Sequence, residues 1–365
     1  MSDATRGYSR RRRGKKSFVY LRASGQPLRD RAVIERIRAL AIPPAWKDVW
    51  ICPAPNGHLQ ATGRDARGRK QYRYHPRWHE AQDQNKYERI IAFAKTLPKI
   101  RRAVARDLRK RGLPREKVLA AVIKLLETTL IRVGNDEYAR DNDSYGLTTM
   151  RDEHVAIRGA TIRFDFRGKH GIEHEIKLED SRLASIVREC RDLPGQELFQ
   201  YVDDAGEMRD VGSGDVNDYL REIGGADFTA KDFRTWAGTA LAAQALQEFL
   251  DFDSKAAAKR NITAAIERVA ERLGNTQAIC RKSYVHPAII DAYMDRSLVK
   301  TLKRRTEKEL RGKLHRLSSE EAAVLALLQR RMAQELAGAR RTGNGAAIKR
   351  RRKAPARPNG HAICS

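Results

Sequence analysis

From residue 90 onward the apolar positions fall mostly at helical spacing. Ile90, Ile91, Phe93, Ala94 and Leu97 line one helical face, and a basic amphipathic run continues to Arg111. Val118, Leu119, Val122, Ile123, Leu125, Leu126 and Leu130 predict a mostly buried helix, with Pro114 where a first turn tolerates it. That helix delivers Arg132 just before Gly134-Asn135. The period then changes. Val155, Ile157, Ile162, Phe164 and Phe166 alternate with polar residues, and after Gly168-Lys169-His170-Gly171 the alternation resumes at Ile172, His174, Ile176 and Leu178. Two strands about a glycine-bounded turn predict a β-hairpin with Lys169 at its tip. Helices follow at about 179–192 and 214–223. Thr229-Ala230-Lys231-Asp232 is a capping box that opens a helix with Arg234 in its first two turns. The next helix ends at Leu273, with Gly274 in the left-handed terminating role, and Thr276 caps the short helix that leads to Tyr284. Ser318-Ser319-Glu320-Glu321 opens a last amphipathic helix through Val324, Leu325, Leu327 and Leu328.

Before residue 90 the pattern is shorter and mixed. Val33, Ile34, Ile37 and Leu40 fit a short helix that stops before Pro43-Pro44. Val49-Trp50-Ile51 and His58-Leu59-Gln60-Ala61-Thr62 are strand-sized, separated by the turn former Pro55-Asn56-Gly57. The expected fold class is therefore α+β, and the length suits two domains. A basic disordered arm is expected over 1–16, a small mainly-β domain over 17–89, and a mainly-α domain with the hairpin over 90–315. A helix and basic tail are expected over 316–365, with no acid after Glu335. No internal repeat is evident.

Charge narrows the function. With 73 Lys and Arg against 46 Asp and Glu, the chain carries +27, and a surplus of that size calls for a polyanionic partner. Nucleic acid leads, because each neutralised phosphate releases counterions. A ribosome-like or chromatin-like basic protein without chemistry fits the same composition. Cys52, Cys190, Cys280 and Cys364 are scattered, which argues against a zinc site or a disulfide framework and suits a reducing compartment. No apolar run approaches a membrane span, and no apolar segment follows the N-terminal arginines as a secretory leader requires.

The chain has no HExxH, no GxxxxGK[ST] and no carboxylates spaced for magnesium. Its one acidic knot, Asp136-Glu137 with Asp141-Asn142-Asp143, lacks a calcium-loop pattern and reads as cap and turn chemistry. An enzyme acting on nucleic acid without metal must neutralise a phosphodiester transition state with side chains. Arginine suits this, since its planar fork binds one phosphate twice and stays charged. Arg132 and Arg234 stand out among many surface cations because each sits at a helix terminus beside an apolar helix. Tyr284 stands out among eleven tyrosines because Arg281-Lys282 precede it. Nearby cations would help a phenol ionise. Upstream, Gly63 to His75 interleaves Arg64, Arg69, Lys70 and Gln71 with Tyr72 and Tyr74. The cations can meet phosphate and Gln71 a base edge; the tyrosines either pack on nucleic acid or cover a core.

These stretches also carry a resemblance. Ile131-Arg132-Val133-Gly134-Asn135, Asn142 to Thr149, the hairpin lysine, Lys231 to Trp236 and Leu273 to Tyr284 resemble the poxvirus-type and bacterial type IB DNA topoisomerases. The Gly63–Tyr74 stretch resembles that family's N-terminal DNA-contact segment, and the match runs in order over roughly residues 17–315. Each motif is weak alone; five in order are specific. The resemblance implies a two-domain clamp around duplex DNA, ATP- and metal-independent relaxation, and no cofactor. It makes Tyr284 the nucleophile of a 3′-phosphotyrosyl intermediate, Arg132 and Arg234 the phosphate clamp, and Lys169 the general acid toward the 5′-oxygen. It places Lys231 near the scissile phosphate, and Tyr138 with Gln71, Tyr72 and Tyr74 on the duplex. It also implies a monomer on double-stranded DNA, away from membranes, in the nucleoid of a bacterial cytoplasm. Poxvirus members have histidine nine residues before the nucleophile; this chain has Asn275, which can donate a hydrogen bond but carries no charge. Tyrosine recombinases share the arginine and tyrosine chemistry. They usually carry histidine where Lys231 stands, and Gly-His where this chain has Gly274-Asn275. The other alternative, a non-catalytic DNA-compacting protein, predicts no dependence on Tyr284.

Overall fold

A computed structural model describes residues 5–13, 17–66, 68, 70–203, 205–249, 252–298 and 317–341. The side chains of residues 76–87, 137, 138, 141, 170 and 339–341 lie outside that description. The fold is α+β, with a small N-terminal sheet and a larger helical part. Two compact units divide between Glu88 and Arg89.

In the first unit, β1 (Tyr8–Arg13), β2 (Ser17–Leu21), β3 (Lys47–Ile51), β4 (Leu59–Arg64) and β5 (Lys70–Tyr74) form an antiparallel sheet in the order β2-β1-β3-β4-β5. Helix α1 (Arg31–Ala39) is capped by Asp30, whose carboxylate accepts from Val33 N at 3.2 Å. Its Ile37 joins Leu28, Val49, Ile51 and Ala61 in a small core. The arginine block expected as a disordered arm is thus an interior strand. Arg11 pairs with Val19 and Arg12 with Phe18, while Tyr8 and Ser9 pair with β3. The charge is accommodated because Arg11 to Arg13 stay exposed. Arg10 lies 4.2 Å from the Phe18 ring centroid and donates to the carbonyls of Ile42, Pro43 and Trp46 at 2.8 to 3.0 Å. Cross-strand pairing and those bonds outweigh the self-repulsion that the sequence suggests.

Helix α2 (Pro76–Asp107) begins in the first unit and ends in the second, which is mainly helical: α3 (Arg115–Thr129), α4 (Asp136–Asn142), α5 (Ser181–Arg191), α6 (Ser213–Gly224), α7 (Ala230–Glu248), α8 (Lys255–Leu273), α9 (Gln277–Ser283), α10 (Pro287–Met294) and α11 (Ser319–Arg341). Helix α2 starts at Pro76, well before the onset near residue 90 that the apolar pattern suggests, because its first turns are polar. Helices α3 and α7 form the centre: Val118 to Ile123 and Ala242, Ala243 and Leu246 are almost wholly buried. The expected hairpin is a three-stranded antiparallel sheet, β6 (Val155–Arg158), β7 (Thr161–Arg167) and β8 (Glu173–Glu179). Val155 and Ile157 belong to β6, which turns back on β7 at Gly159-Ala160. A short β9–β10 ribbon (Gln200–Val202, Met208–Asp210) completes the strands of the described residues.

Candidate active site

The site is assembled where α3, α7 and α8 end or begin. Leu130 closes α3 in the left-handed region at φ 59°, a conformation that costs a non-glycine residue on the order of 1 kcal/mol. The reversed chain aims the Leu130 carbonyl at Arg234 Nη1, which donates to it. Arg234 Nη2 donates to the Leu273 carbonyl at 2.6 Å. Two residues past Leu130, Arg132 Nη2 donates to the Gly274 carbonyl at 3.0 Å and to Asn275 Oδ1 at 2.6 Å. Both guanidinium groups therefore occupy the C-terminal end of α8, where unpaired carbonyls and the negative end of the helix dipole favour cations. The turn there needs Gly274, at φ 58°.

Arg234 is buried and Arg132 half-buried, and neither is neutralised. Among the described residues neither makes an ion pair with a carboxylate, and Arg234 Nε, buried, has no hydrogen-bond partner. Burial pushes the pKa of each below its ordinary value, and for Arg132 the charge of Arg234 pushes further. A pair of desolvated cations with a spare donor is a site for an anion, because burying uncompensated charge is costly until one arrives.

Tyr284 follows α9, whose start is capped by Thr276. Its backbone is tied to α7: Thr239 Oγ1 donates to the Tyr284 carbonyl at 3.2 Å. A methyl on Gly238 would stand 2.8 Å from that oxygen, so only glycine permits the approach. The half-buried ring has Arg234 Cζ 5.4 Å from its centroid. Cys280, one turn earlier, is fully buried, and burial pushes its thiol up to about 11 against the pull of the arginines. It stays a neutral thiol.

Arg132, Arg234, Asn275 and Tyr284 thus come together. Lys169 does not lie with them: it is exposed in the 3-10 turn Lys169–Gly171, although Gly168 before it lines the same cleft as Arg132 and Arg234. Lys231 is on the exposed side of the first turn of α7. In the first unit, Arg64 bonds the Gly68 carbonyl at 2.9 Å and Gln71 bonds Asp65 at 3.0 Å. Tyr72 and Tyr74 are stacked at 6.1 Å, both exposed, with Lys70 Nζ 5.8 Å from the Tyr72 centroid. They form a surface and cover no core. Arg69 lies outside the described residues, as does the side chain of Tyr138 on α4. The pattern missed His174, whose imidazole lines the arginine cleft; its only sequence signal is its inward place in the alternation of β8. Among the described residues no group of three His, Cys, Asp or Glu is placed to hold a metal ion, and no helix is long and apolar enough to cross a membrane.

Two arginines without carboxylate partners among the described residues, beside a tyrosine in a chain this basic, suit a protein that acts on phosphodiesters. The comparisons with known proteins give the family. Residues 75–313 match the family model of the eukaryotic DNA topoisomerase I catalytic core, and residues 17–65 match that of the bacterial DNA topoisomerase IB N-terminal domain. DNA topoisomerase 1B of Acanthamoeba polyphaga mimivirus is 34% identical over 270 residues, covering 72% of this chain and 80% of that protein. DNA topoisomerase 1B of Vaccinia virus (strain Copenhagen) is 24% identical over 249 residues, 67% of this chain and 76% of that protein. The chain belongs to the type IB DNA topoisomerases, isomerases that act on DNA.

Proposed function

We propose that Tyr284 Oη attacks a DNA phosphorus, forming a 3′-phosphotyrosyl bond as the bond from phosphorus to the 5′-oxygen breaks. The phenol proton passes to solvent, and Lys169 gives a proton to the leaving 5′-oxygen. Arg132 and Arg234 hold the two non-bridging oxygens. Asn275 has its Oδ1 engaged by Arg132, and its amide nitrogen has only a 3.4 Å contact with the Leu273 carbonyl. That nitrogen donates to a phosphate oxygen as a neutral group, and Lys231 sits near the scissile phosphate. Exchanging one phosphodiester for another is nearly isoenergetic, so rotation of the cut strand and reversal of the step need no ATP. The observation that carries the reading is the pair of Arg234, buried, and Arg132, half-buried, with no carboxylate partner among the described residues, and with Arg234 Cζ 5.4 Å from the Tyr284 ring centroid.

The exposed Tyr72 and Tyr74, with Arg64, Arg69, Lys70 and Gln71, form the duplex-contacting face of the first unit, and Tyr138 contacts the duplex from the second. The two units close as a clamp on double-stranded DNA, and the protein works as a monomer on the bacterial nucleoid. The test is relaxation of supercoiled plasmid in EDTA without ATP. The wild-type chain relaxes it, and Tyr284→Phe loses more than about 10⁴-fold in rate. Absence of wild-type relaxation sinks the reaction, and relaxation that survives the substitution sinks the assignment of Tyr284.

A further inference from the structure

One side chain in the arginine cleft has no part in the chemistry above. His174, on β8, stacks on Phe166 of β7 at 5.1 Å and 23° between ring planes. Among the described residues it makes no hydrogen bond, so packing alone sets its place. Its ring fills a slot between two glycines. A methyl on Gly168 would stand 2.5 Å from His174 Cδ2 and 2.7 Å from Nε2, and one on Gly274 would stand 2.5 Å from Cε1. Real side chains do not approach so closely, so the space both glycines leave is the space the imidazole occupies. Gly168 immediately precedes Lys169. Gly274 immediately precedes Asn275, and its carbonyl accepts Arg132. The imidazole is thus packed against both the lysine-bearing turn and the arginine-bound end of α8.

We propose that His174 is a positioning residue that seats the turn carrying Lys169 against the α8–α9 turn, and so sets the reach of Lys169 to the leaving 5′-oxygen. The proposal rests on the reading of Lys169 as general acid. Burial, then the charges of Arg132 and Arg234, lower the pKa of His174. The ring therefore packs as a neutral spacer and adds no third cation to the pair. A spacer of this kind acts on geometry, and a misplacement of about 1 Å in a reacting group costs on the order of 100-fold.

The experiment is single-turnover cleavage of saturating duplex DNA carrying either the normal 5′-oxygen or a 5′-bridging sulfur at the scissile phosphate. A sulfur leaving group departs without a proton and bypasses the acid. His174→Ala slows oxygen cleavage by about 10- to 100-fold and sulfur cleavage by less than about 3-fold, so the sulfur substrate doubles as a control for folding. Gly168→Ala pushes a methyl into the ring and gives the same leaving-group-dependent slowing. Since the His174 ring supplies the close contacts at Gly168, the double variant Gly168→Ala/His174→Ala is no slower than His174→Ala alone. Equal slowing on both substrates, or none on either, overturns the role of His174, as does a double variant slower by the product of the single effects. Lys169→Ala serves as the reference. If it slows both substrates equally, the general acid itself is misassigned, a failure separate from that of His174.

Discussion

Arg234 is a cation held by carbonyls where proteins usually supply a carboxylate. Main-chain oxygens of Leu130 and Leu273 take its two terminal nitrogens and orient the fork, yet they leave the full charge for a ligand. Orientation is what a lysine cannot reproduce, since one ammonium reaches a single carbonyl and presents a point charge. Arg234→Lys is therefore expected to lower single-turnover cleavage at saturating DNA by roughly 100-fold while changing duplex affinity by less than about 3-fold. A cleavage rate within about 3-fold of wild type would show that the fork is not used. That Arg132 and Arg234 lie together was legible in the sequence because a terminus next to an apolar helix fixes a side chain's surroundings, and Tyr284 beside them was marked only by its basic neighbours Arg281 and Lys282. His174 was not, because its position depends on two glycines, 168 and 274, that lie far apart in the chain. The carbonyls that hold Arg234 were equally hidden: nothing in the letters announces that Leu130 adopts a left-handed conformation.

At the scale of elements, capped helix starts and strand alternation were readable, while the polar start of α2 and the joints between helices were not. The Ser318 to Glu321 cap forms as expected: Ser318 N donates to Glu321 Oε2 at 2.9 Å, and Glu321 N donates to Ser318 Oγ at 3.2 Å. The same carboxylate does more than cap. It accepts both Arg101 terminal nitrogens, at 2.8 and 2.9 Å, and Trp236 Nε1 at 2.9 Å. Arg101 in turn reaches Glu127 at 2.6 Å. One acid of α11 thereby joins α2, α3 and α7, two residues from Arg234 on α7. Burial alone would raise the Glu321 pKa, but the hydrogen bonds and charge of Arg101 win and hold it below the ordinary carboxylate value. Glu321→Ala is expected to cost about 3 kcal/mol in urea unfolding, because it strips the bidentate partner from the part-buried Arg101. A depressed folded-state pKa means this contribution is present above the ordinary glutamate range and is lost as pH falls through and below it. The stability gap between wild type and Glu321→Gln should therefore narrow between about pH 7 and about pH 4. A gap that stays constant over that range would show that the charge of Glu321 is not the source.

At the scale of the whole molecule, the basic surplus splits into parts with different roles, and truncation separates them. Arg10 to Arg13 look in the sequence like a dispensable electrostatic arm. In the fold they are strand β1, lying between β2 and β3. Removing residues 1–16 exposes the edges of both neighbours and takes Tyr8 from the small core. The expected result is loss of cooperative unfolding of the first unit, read by strand signal in circular dichroism, with DNA affinity falling as a consequence of misfolding. The tail is a different case by its composition. Lys349, Arg350, Arg351, Arg352, Lys353 and Arg357 fall within 342–365, with no acid among them. Each phosphate neutralised adds about 0.9 to the slope of log affinity against log salt. Deleting 342–365 should therefore flatten that slope by up to about 5, while single-turnover cleavage at saturating DNA stays within about 2-fold of wild type. An unchanged slope would mean that the tail cations do not meet the duplex, and a collapse of cleavage would mean that they serve the reaction itself. A chain that keeps its strand signal and its affinity without residues 1–16 would overturn the placement of β1, and the arginine block would then count with the tail as a source of non-specific attraction.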